Sequence, residues 1–179
     1  MTDRQTPAGL QSKAARVCLL ALDVDGVLTD GSIYYGNNGE ELKAFNIRDG
    51  LGIKLLQRAG VSVVIITGRQ SEIVARRARE LGITDVVQGR EDKCAALLEI
   101  CTARGLQPED CAYMGDDLPD LGAVIAAGLG LTVAGAAGPV AKAADWQSEL
   151  AGGRGAVREA CEFILSARGE LASMEAQFR

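Results

Sequence analysis

Val17-Cys18-Leu19-Leu20-Ala21-Leu22-Asp23-Val24-Asp25-Gly26-Val27-Leu28-Thr29-Asp30-Gly31 is the stretch on which the reading of the chain turns. Its first six residues are apolar, which suits a strand buried on both faces in the middle of a parallel sheet. Asp23 and Asp25 follow one residue apart, and Gly26 and Gly31 indicate that the chain is already turning. Both acids are therefore expected in the loop at the carboxyl end of a central strand, the edge where open α/β sheets bind ligands. Carboxylates so close repel unless a cation lies between them or one keeps a proton, and hard oxygen ligands suit Mg²⁺. In that setting Asp23 can attack a phosphoryl group and Asp25 can serve as acid and base, a role worth roughly 10²- to 10⁴-fold. A calcium loop is the competing reading; it needs an acid and a glycine at 27 and 28, which are Val and Leu.

Composition bounds the rest. At 179 residues and 47% hydrophobic, the chain is long enough for one well-buried domain and short for two. A net charge of −5 leaves no basic stripe for nucleic acid. No apolar run reaches the ~18 to 20 residues that span a bilayer, so no membrane partner is expected. Histidine is absent, which excludes Ser/His and Cys/His machinery and argues against zinc. The five cysteines, at 18, 94, 101, 111 and 161, form no CxxC pair and read as reduced core residues of a cytoplasmic protein. Residues 1–15, polar and carrying Pro7 and Gly9, read as a mobile leader.

Strands and helices then alternate. Segments 32–35 and 40–46 flank Gly36-Asn37-Asn38-Gly39, a hairpin signal placed to act as a flap over the acids or as an ordinary edge hairpin. A helix runs to about Ala59, a buried strand covers 61–66, a helix 71–81, and a short strand 85–88. Lys93 opens a helix that ends near Gly105; a strand at 111–114, a small helix, a strand at 129–134 and a helix from about Gly155 complete the pattern. The alternation predicts an α/β fold, a Rossmann-like parallel sheet flanked by helices with right-handed crossovers, in one domain over 16–168 with a tail at 169–179.

That topology gathers further residues at the same edge. Thr67 ends a strand, and its hydroxyl and the N–H groups that follow, Gly68 first, can donate to phosphoryl oxygens, although a plain strand-to-helix turn explains them equally. Lys93 can neutralise a phosphate or can be a solvated lysine at a helix start. Asp116, Asp117 and Asp120 place three acids within five positions after a buried strand, a self-repelling cluster that points to a metal or a cation.

The order Asp23-x-Asp25, Thr67, Lys93 and Gly115-Asp116-Asp117-x-x-Asp120 resembles the four motifs of the haloacid dehalogenase superfamily. The resemblance implies Asp23 and Asp116 as side-chain Mg²⁺ ligands, Asp25 as a ligand through its carbonyl, Thr67 and Lys93 as phosphoryl contacts, and Asp117 and Asp120 behind the metal or as lysine partners. Segments 36–45, Arg48-Asp49-Gly50, Ile66-Thr67-Gly68-Arg69 and 152–159 resemble its KDO 8-phosphate phosphatase family (3-deoxy-D-manno-octulosonate 8-phosphate), which lacks a large cap domain. That likeness implies Mg²⁺-dependent hydrolysis of a sugar-acid phosphate, a homotetramer built on the hairpins with sites near subunit interfaces, and a tail that reaches a neighbour's site. Gly68, Arg69, Arg48 and Arg154 are then candidate substrate contacts, with Arg158 a weaker one that can instead pair with Glu162. Two features depart from the family: Gly135-Ala136-Ala137-Gly138-Pro139 lacks its Asp and His, and Trp146 stands where Tyr is usual. The alternatives are a phosphatase for a nine-carbon keto-deoxy sugar acid (KDN 9-phosphate or N-acetylneuraminate 9-phosphate) and, from another class, a phosphorelay receiver, which needs an acid after the third strand, where Val86-Val87-Gln88 has none.

Overall fold

A computed structural model describes residues 8–178. In it, β1 (Leu19–Leu22) is fully buried, and its side chains alternate between two apolar clusters: Leu20 and Leu22 on one face, Leu19 and Ala21 on the other. The sheet holds β1, β4 (Ser62–Thr67), β5 (Val86–Gln88), β6 (Cys111–Met114), β7 (Leu129–Ala134) and β8 (Trp146–Ala151), ordered β5-β4-β1-β6-β7-β8 with every neighbouring pair parallel. Val63 and Ile65 of β4 face the first cluster, Val64 and Ile66 the second. Helices α1 (Ala8–Arg16), α2 (Ile47–Arg58), α3 (Glu72–Leu81) and α7 (Ala156–Ala167) cover the first face. The second is covered by α4 (Lys93–Arg104), α5 (Leu121–Ala126) and α6 (Gly138–Ala143). The parallel α/β architecture is as expected, and among the described residues nothing larger than the hairpin is inserted as a cap.

Several boundaries differ from the sequence reading. Residues 8–15 of the expected leader fall in α1, because Leu10 and Ala14 lie on one helical face and pack beside α7; residues 1–7 lie outside the described residues. Strand β1 begins at Leu19, so Cys18 is exposed rather than in the core, whereas Cys101, Cys111 and Cys161 are buried and all five thiols are free. The sixth strand, β8, is not legible in the sequence because this edge strand, with a register break opposite Thr132–Ala134, has three consecutive polar residues at its centre and no apolar alternation. The hairpin pairs only β2 (Tyr34–Tyr35) with β3 (Glu41–Leu42), far less than 32–35 with 40–46, since a two-stranded ribbon without a sheet beneath it is marginal.

The tail at 169–179, largely polar in sequence, joins the core. Helix α8 (Leu171–Ala176) sets Leu171 and Met174 against the first cluster, and just before it Arg168 donates to the carbonyls of Val17 (3.0 Å) and Ala59 (3.2 Å). Both carbonyls lie at the edge of the sheet away from Asp23. Partial burial of two side chains is worth on the order of 1 kcal/mol, or about 2 to 4 °C in a domain this size. Deleting residues 171–179 should therefore lower Tm by a few degrees in scanning calorimetry; an unchanged Tm would restore the polar-tail reading.

Candidate active site

Strand order brings the acids together. β1 and β6 are neighbours in register Leu22↔Met114, so Asp23, directly after β1, and Asp116, two residues past β6, leave the same edge of the sheet. Thr67 ends β4 on the other side of β1, and Lys93 opens α4. A cavity of about 480 Å³ at this edge is lined by Asp23, Asp25, Thr67, Gly68, Arg69, Lys93, Asp116, Asp117 and Asp120, with Gly31, Glu91 and Pro119. Nine of the proposed site residues thus share one cavity, and Arg48 and Arg154 do not line it. Arg48 is exposed; Arg154 pairs with Asp30 at 3.3 Å, and Arg158 pairs with Glu162 at 2.5 Å.

Two glycines permit the approach of the acids. A Cβ on Gly26, whose φ is +92°, would fall 2.0 Å from Asp116 Oδ2, and one on Gly115 would fall 2.3 Å from Asp120 Cβ. Asp120 is fully engaged: Oδ1 accepts from Lys93 Nζ (2.7 Å) and the Tyr113 hydroxyl (2.7 Å), and Oδ2 accepts from the N–H groups of Asp116 (3.1 Å) and Asp117 (3.2 Å). Lys93 Nζ also stands 2.9 Å from Asp23 Oδ1. Exposed Asp117 caps the turn at Leu118–Asp120, its Oδ1 accepting from the Leu118 N–H at 2.8 Å. Asp120 is therefore the lysine's anchor, and Asp117 a turn cap.

Oxygens of Asp23, Asp116 and Asp120 lie within 4.8 Å of one another. With Asp120 saturated, the fit to a metal rests on the other two. Asp116 Oδ1 is buried with no hydrogen-bond partner, and Asp23 meets only one cation. A hard divalent cation such as Mg²⁺ suits that donor set. Burial, reinforced by Asp120, lifts the Asp23 carboxyl to about 7 against the pull of Lys93. Burial, with Asp120 and Asp117, lifts Asp116 to about 6. Burial works against the Lys93 ammonium, yet Asp23 and Asp120 outweigh it and hold its pKa above the ordinary value.

Sequence reasoning missed the hairpin's own contribution. Lys43 Nζ pairs with Asp25 Oδ1 and lies 3.7 Å from Glu41 Oε1, while Arg69 reaches Asp25 Oδ2 (3.9 Å), Glu41 Oε2 (3.6 Å) and the Tyr35 hydroxyl (3.3 Å). The available signal was alternation: Glu41 and Lys43 share one side of a strand placed just after the catalytic loop, and Leu42, exposed, takes the other.

The chain resembles known proteins closely. Residues 47–128 match the family model of haloacid dehalogenase-like hydrolases. The 3-deoxy-D-manno-octulosonate 8-phosphate phosphatase KdsC of Escherichia coli is 46% identical over 95% of this chain and 90% of that protein. The Yersinia pestis phosphatase of that name is 48% identical over 89% of this chain and 85% of its own. Among solved structures, the Moraxella catarrhalis phosphatase in complex with magnesium, phosphate and KDO superposes with a TM-score of 0.94 at 45% identity, covering 95% of this chain and 98% of that one. The cobalt-bound Haemophilus influenzae phosphatase gives 0.88 at 41% identity, covering 92% and 97%.

Without metal, Asp23 and Asp116 hold protons more tightly in the folded chain than in the unfolded one. Their favourable contribution to stability is complete below the unfolded value of 3.8 and is lost as pH rises through about 6 and about 7. Metal binds the deprotonated ligands. The rise in Tm caused by saturating Mg²⁺ should therefore grow between about pH 5 and about pH 8 in thermal melts; an increment independent of pH would contradict this assignment of ligands.

Proposed function

Because the chain belongs to the family of KDO 8-phosphate phosphatases, we propose that it hydrolyses the phosphate monoester of an eight-carbon sugar acid, KDO 8-phosphate, through an aspartyl phosphate on Asp23. The observation that carries this reading is the pairing of Asp23 with Lys93 beside the unpartnered oxygen of Asp116: a nucleophile, its counter-cation and a metal-ready acid at one point. Asp23 and Asp116, with the carbonyl of Asp25, would hold Mg²⁺, which when bound supplies positive charge to offset the carboxylates and the phosphoryl oxygens.

The chain's own residues then divide the work. An Asp23 carboxylate oxygen attacks phosphorus, the bond to the sugar oxygen breaks, and Asp25 gives that oxygen its proton. Asp25 next takes a proton from water as the water oxygen bonds to phosphorus; phosphate leaves, and the Asp23 carboxylate is restored. The Thr67 hydroxyl and Gly68 N–H donate to phosphoryl oxygens, and Lys93 offsets their charge. Arg69, which lines the cavity beside Asp25 and is part exposed, brings cationic charge to its mouth, where a sugar carboxylate can be received, while buried Lys43 pairs with Asp25 from the hairpin. The relatives are named for KDO 8-phosphate and one holds KDO itself, which favours the eight-carbon acid over a nine-carbon one. A receiver role has no support: β5 ends in Gln88, with no acid to phosphorylate.

We further infer a homotetramer assembled on the hairpins. Tyr34, Tyr35, Leu42, Ile47 and Leu51 are exposed on the hairpin and the adjoining start of α2, an apolar set that a second copy would cover. Five free thiols fit the cytoplasm, and among the described residues no helix is long and apolar enough to cross a membrane.

Asp23→Asn should lower kcat by about 10⁴-fold or more with the fold retained, and EDTA should stop the wild type. Asp25→Asn should slow a sugar phosphate far more than an activated aryl phosphate, whose leaving group needs no proton. In a panel of sugar-acid phosphates KDO 8-phosphate should show the highest kcat/KM; a nine-carbon substrate in that place would overturn the proposed specificity. Light scattering should give the mass of four chains, with Leu42→Lys shifting it downward; a fully active monomer would remove the tetramer.

A further inference from the structure

The catalytic loop is gripped from behind by a strap of three glycines. A Cβ on Gly152 would lie 1.8 Å from the carbonyl oxygen of Gly26, and one on Gly153 would lie 2.6 Å from the backbone nitrogen of Asp30. The Gly153 N–H donates to the Val27 carbonyl at 3.0 Å. No larger residue could keep this contact, so the strap's position and the loop's position are one variable.

The strap is held in turn by the first turn of α2. Asn46 Nδ2 donates to the Gly153 carbonyl at 3.3 Å, while its Oδ1 caps α2 by accepting the Arg48 N–H at 2.8 Å. Three residues on, Asp49 is 1% exposed, and its Oδ1 accepts the Arg158 N–H at 2.8 Å. Gly155 is the N-cap residue of α7, with φ of 114° and no side chain with which to cap it, so Asp49 supplies that cap from a different helix. The arrangement is not the most stable one available, since Asp49 Oδ2 is buried without a partner. A residue retained at such a cost invites a functional reading.

We propose that Asp49 is a positioning residue: by capping α7 from α2 it presses the Gly152–Gly155 strap onto Gly26 and Val27, and thereby fixes the loop that carries Asp25 and against which Asp116 rests. The chain of contact is continuous, for Asp116 Oδ2 occupies the space where a Gly26 side chain would stand. The hairpin leads directly into Asn46, so a movement of the flap reaches the catalytic loop through the same strap. This role rests on the phosphatase reading for its effect on turnover, but not for its effect on Mg²⁺ binding.

The test uses the full chain and reads both turnover and the Mg²⁺-induced rise in Tm. Asp49→Asn, which keeps an acceptor oxygen, should leave kcat and half-saturating Mg²⁺ within about threefold of wild type. Asp49→Ser is too short to reach the Arg158 N–H; it should lower kcat and raise half-saturating Mg²⁺ by about tenfold each, with KM changed much less, as expected for a support of metal ligands. Ile164→Val, buried in α7 away from the strap, controls for lost stability and should change neither quantity. If Asp49→Ser does not fold, Gly152→Ala pushes on Gly26 from the opposite side and must give the same two changes. A wild type that binds Mg²⁺ but hydrolyses no phosphate ester would sink the phosphatase reading and leave the strap to be judged by the Mg²⁺ shift. Asp49→Ser, or in its place Gly152→Ala, behaving like Ile164→Val in Mg²⁺ binding would overturn the strap.

Discussion

The ammonium of Lys93, seated between Asp23 and Asp120, is the interaction on which the site depends. Two like charges about 4 Å apart at an effective dielectric near 20 repel by roughly 4 kcal/mol. Three carboxylates with oxygens inside 4.8 Å cannot all be ionised without compensation. Lys93 compensates two of them, and Tyr113 and two backbone N–H groups complete Asp120. The remaining charge belongs to Asp23 and Asp116, whose carboxyl pKa values burial and Asp120 raise, and a divalent cation would offset it. Affinity for a metal is thus the residue of an electrostatic sum that the protein leaves open.

The fold serves that sum by topology. β1 lies between β4 and β6, so three consecutive strands deliver Thr67, Asp23 and Asp116 to one edge, and the crossover into α4 returns Lys93 to the same point. Glycines at 26 and 115 remove the side chains that would hold the acids apart. On the outer side the hairpin lays Lys43 and Glu41 over Asp25, so the group that would transfer protons sits under the hairpin.

What the sequence made legible follows from which signals are local. Six apolar residues before Asp23, strand–helix alternation and the spacing of Asp-x-Asp, Thr, Lys and Gly-Asp-Asp-x-x-Asp are all local patterns, and the sheet and nine site residues came from them. Helix α1 and helix α8 were hidden because each buries only two or so apolar side chains, too few to stand out from a polar terminus. Strand β8 is an edge strand whose partner, β7, supplies its order. Lys43 and Asp49 fall inside segments that resemble the family, 36–45 and Arg48-Asp49-Gly50, but their roles were hidden because they lie in contacts with Asp25 and with Arg158, 18 and 109 positions away. Arg154 differs the other way: the likeness in segment 152–159 made it a candidate substrate contact, whereas the glycines there serve the close approach to Gly26 and the arginine pairs with Asp30 at the surface.

The central claim is that Asp23 itself becomes phosphorylated, and mass spectrometry of enzyme quenched in acid during turnover tests it most directly. The account predicts a fraction of the chain heavier by one phosphoryl group, located to the peptide containing Asp23 and lost on treatment with hydroxylamine, which cleaves acyl phosphates. Full turnover with no such species on that peptide, while Asp25→Asn given an activated aryl phosphate, whose first step needs no proton and whose dephosphorylation is slowed, also fails to accumulate it, would contradict the account and assign the attack on phosphorus to water.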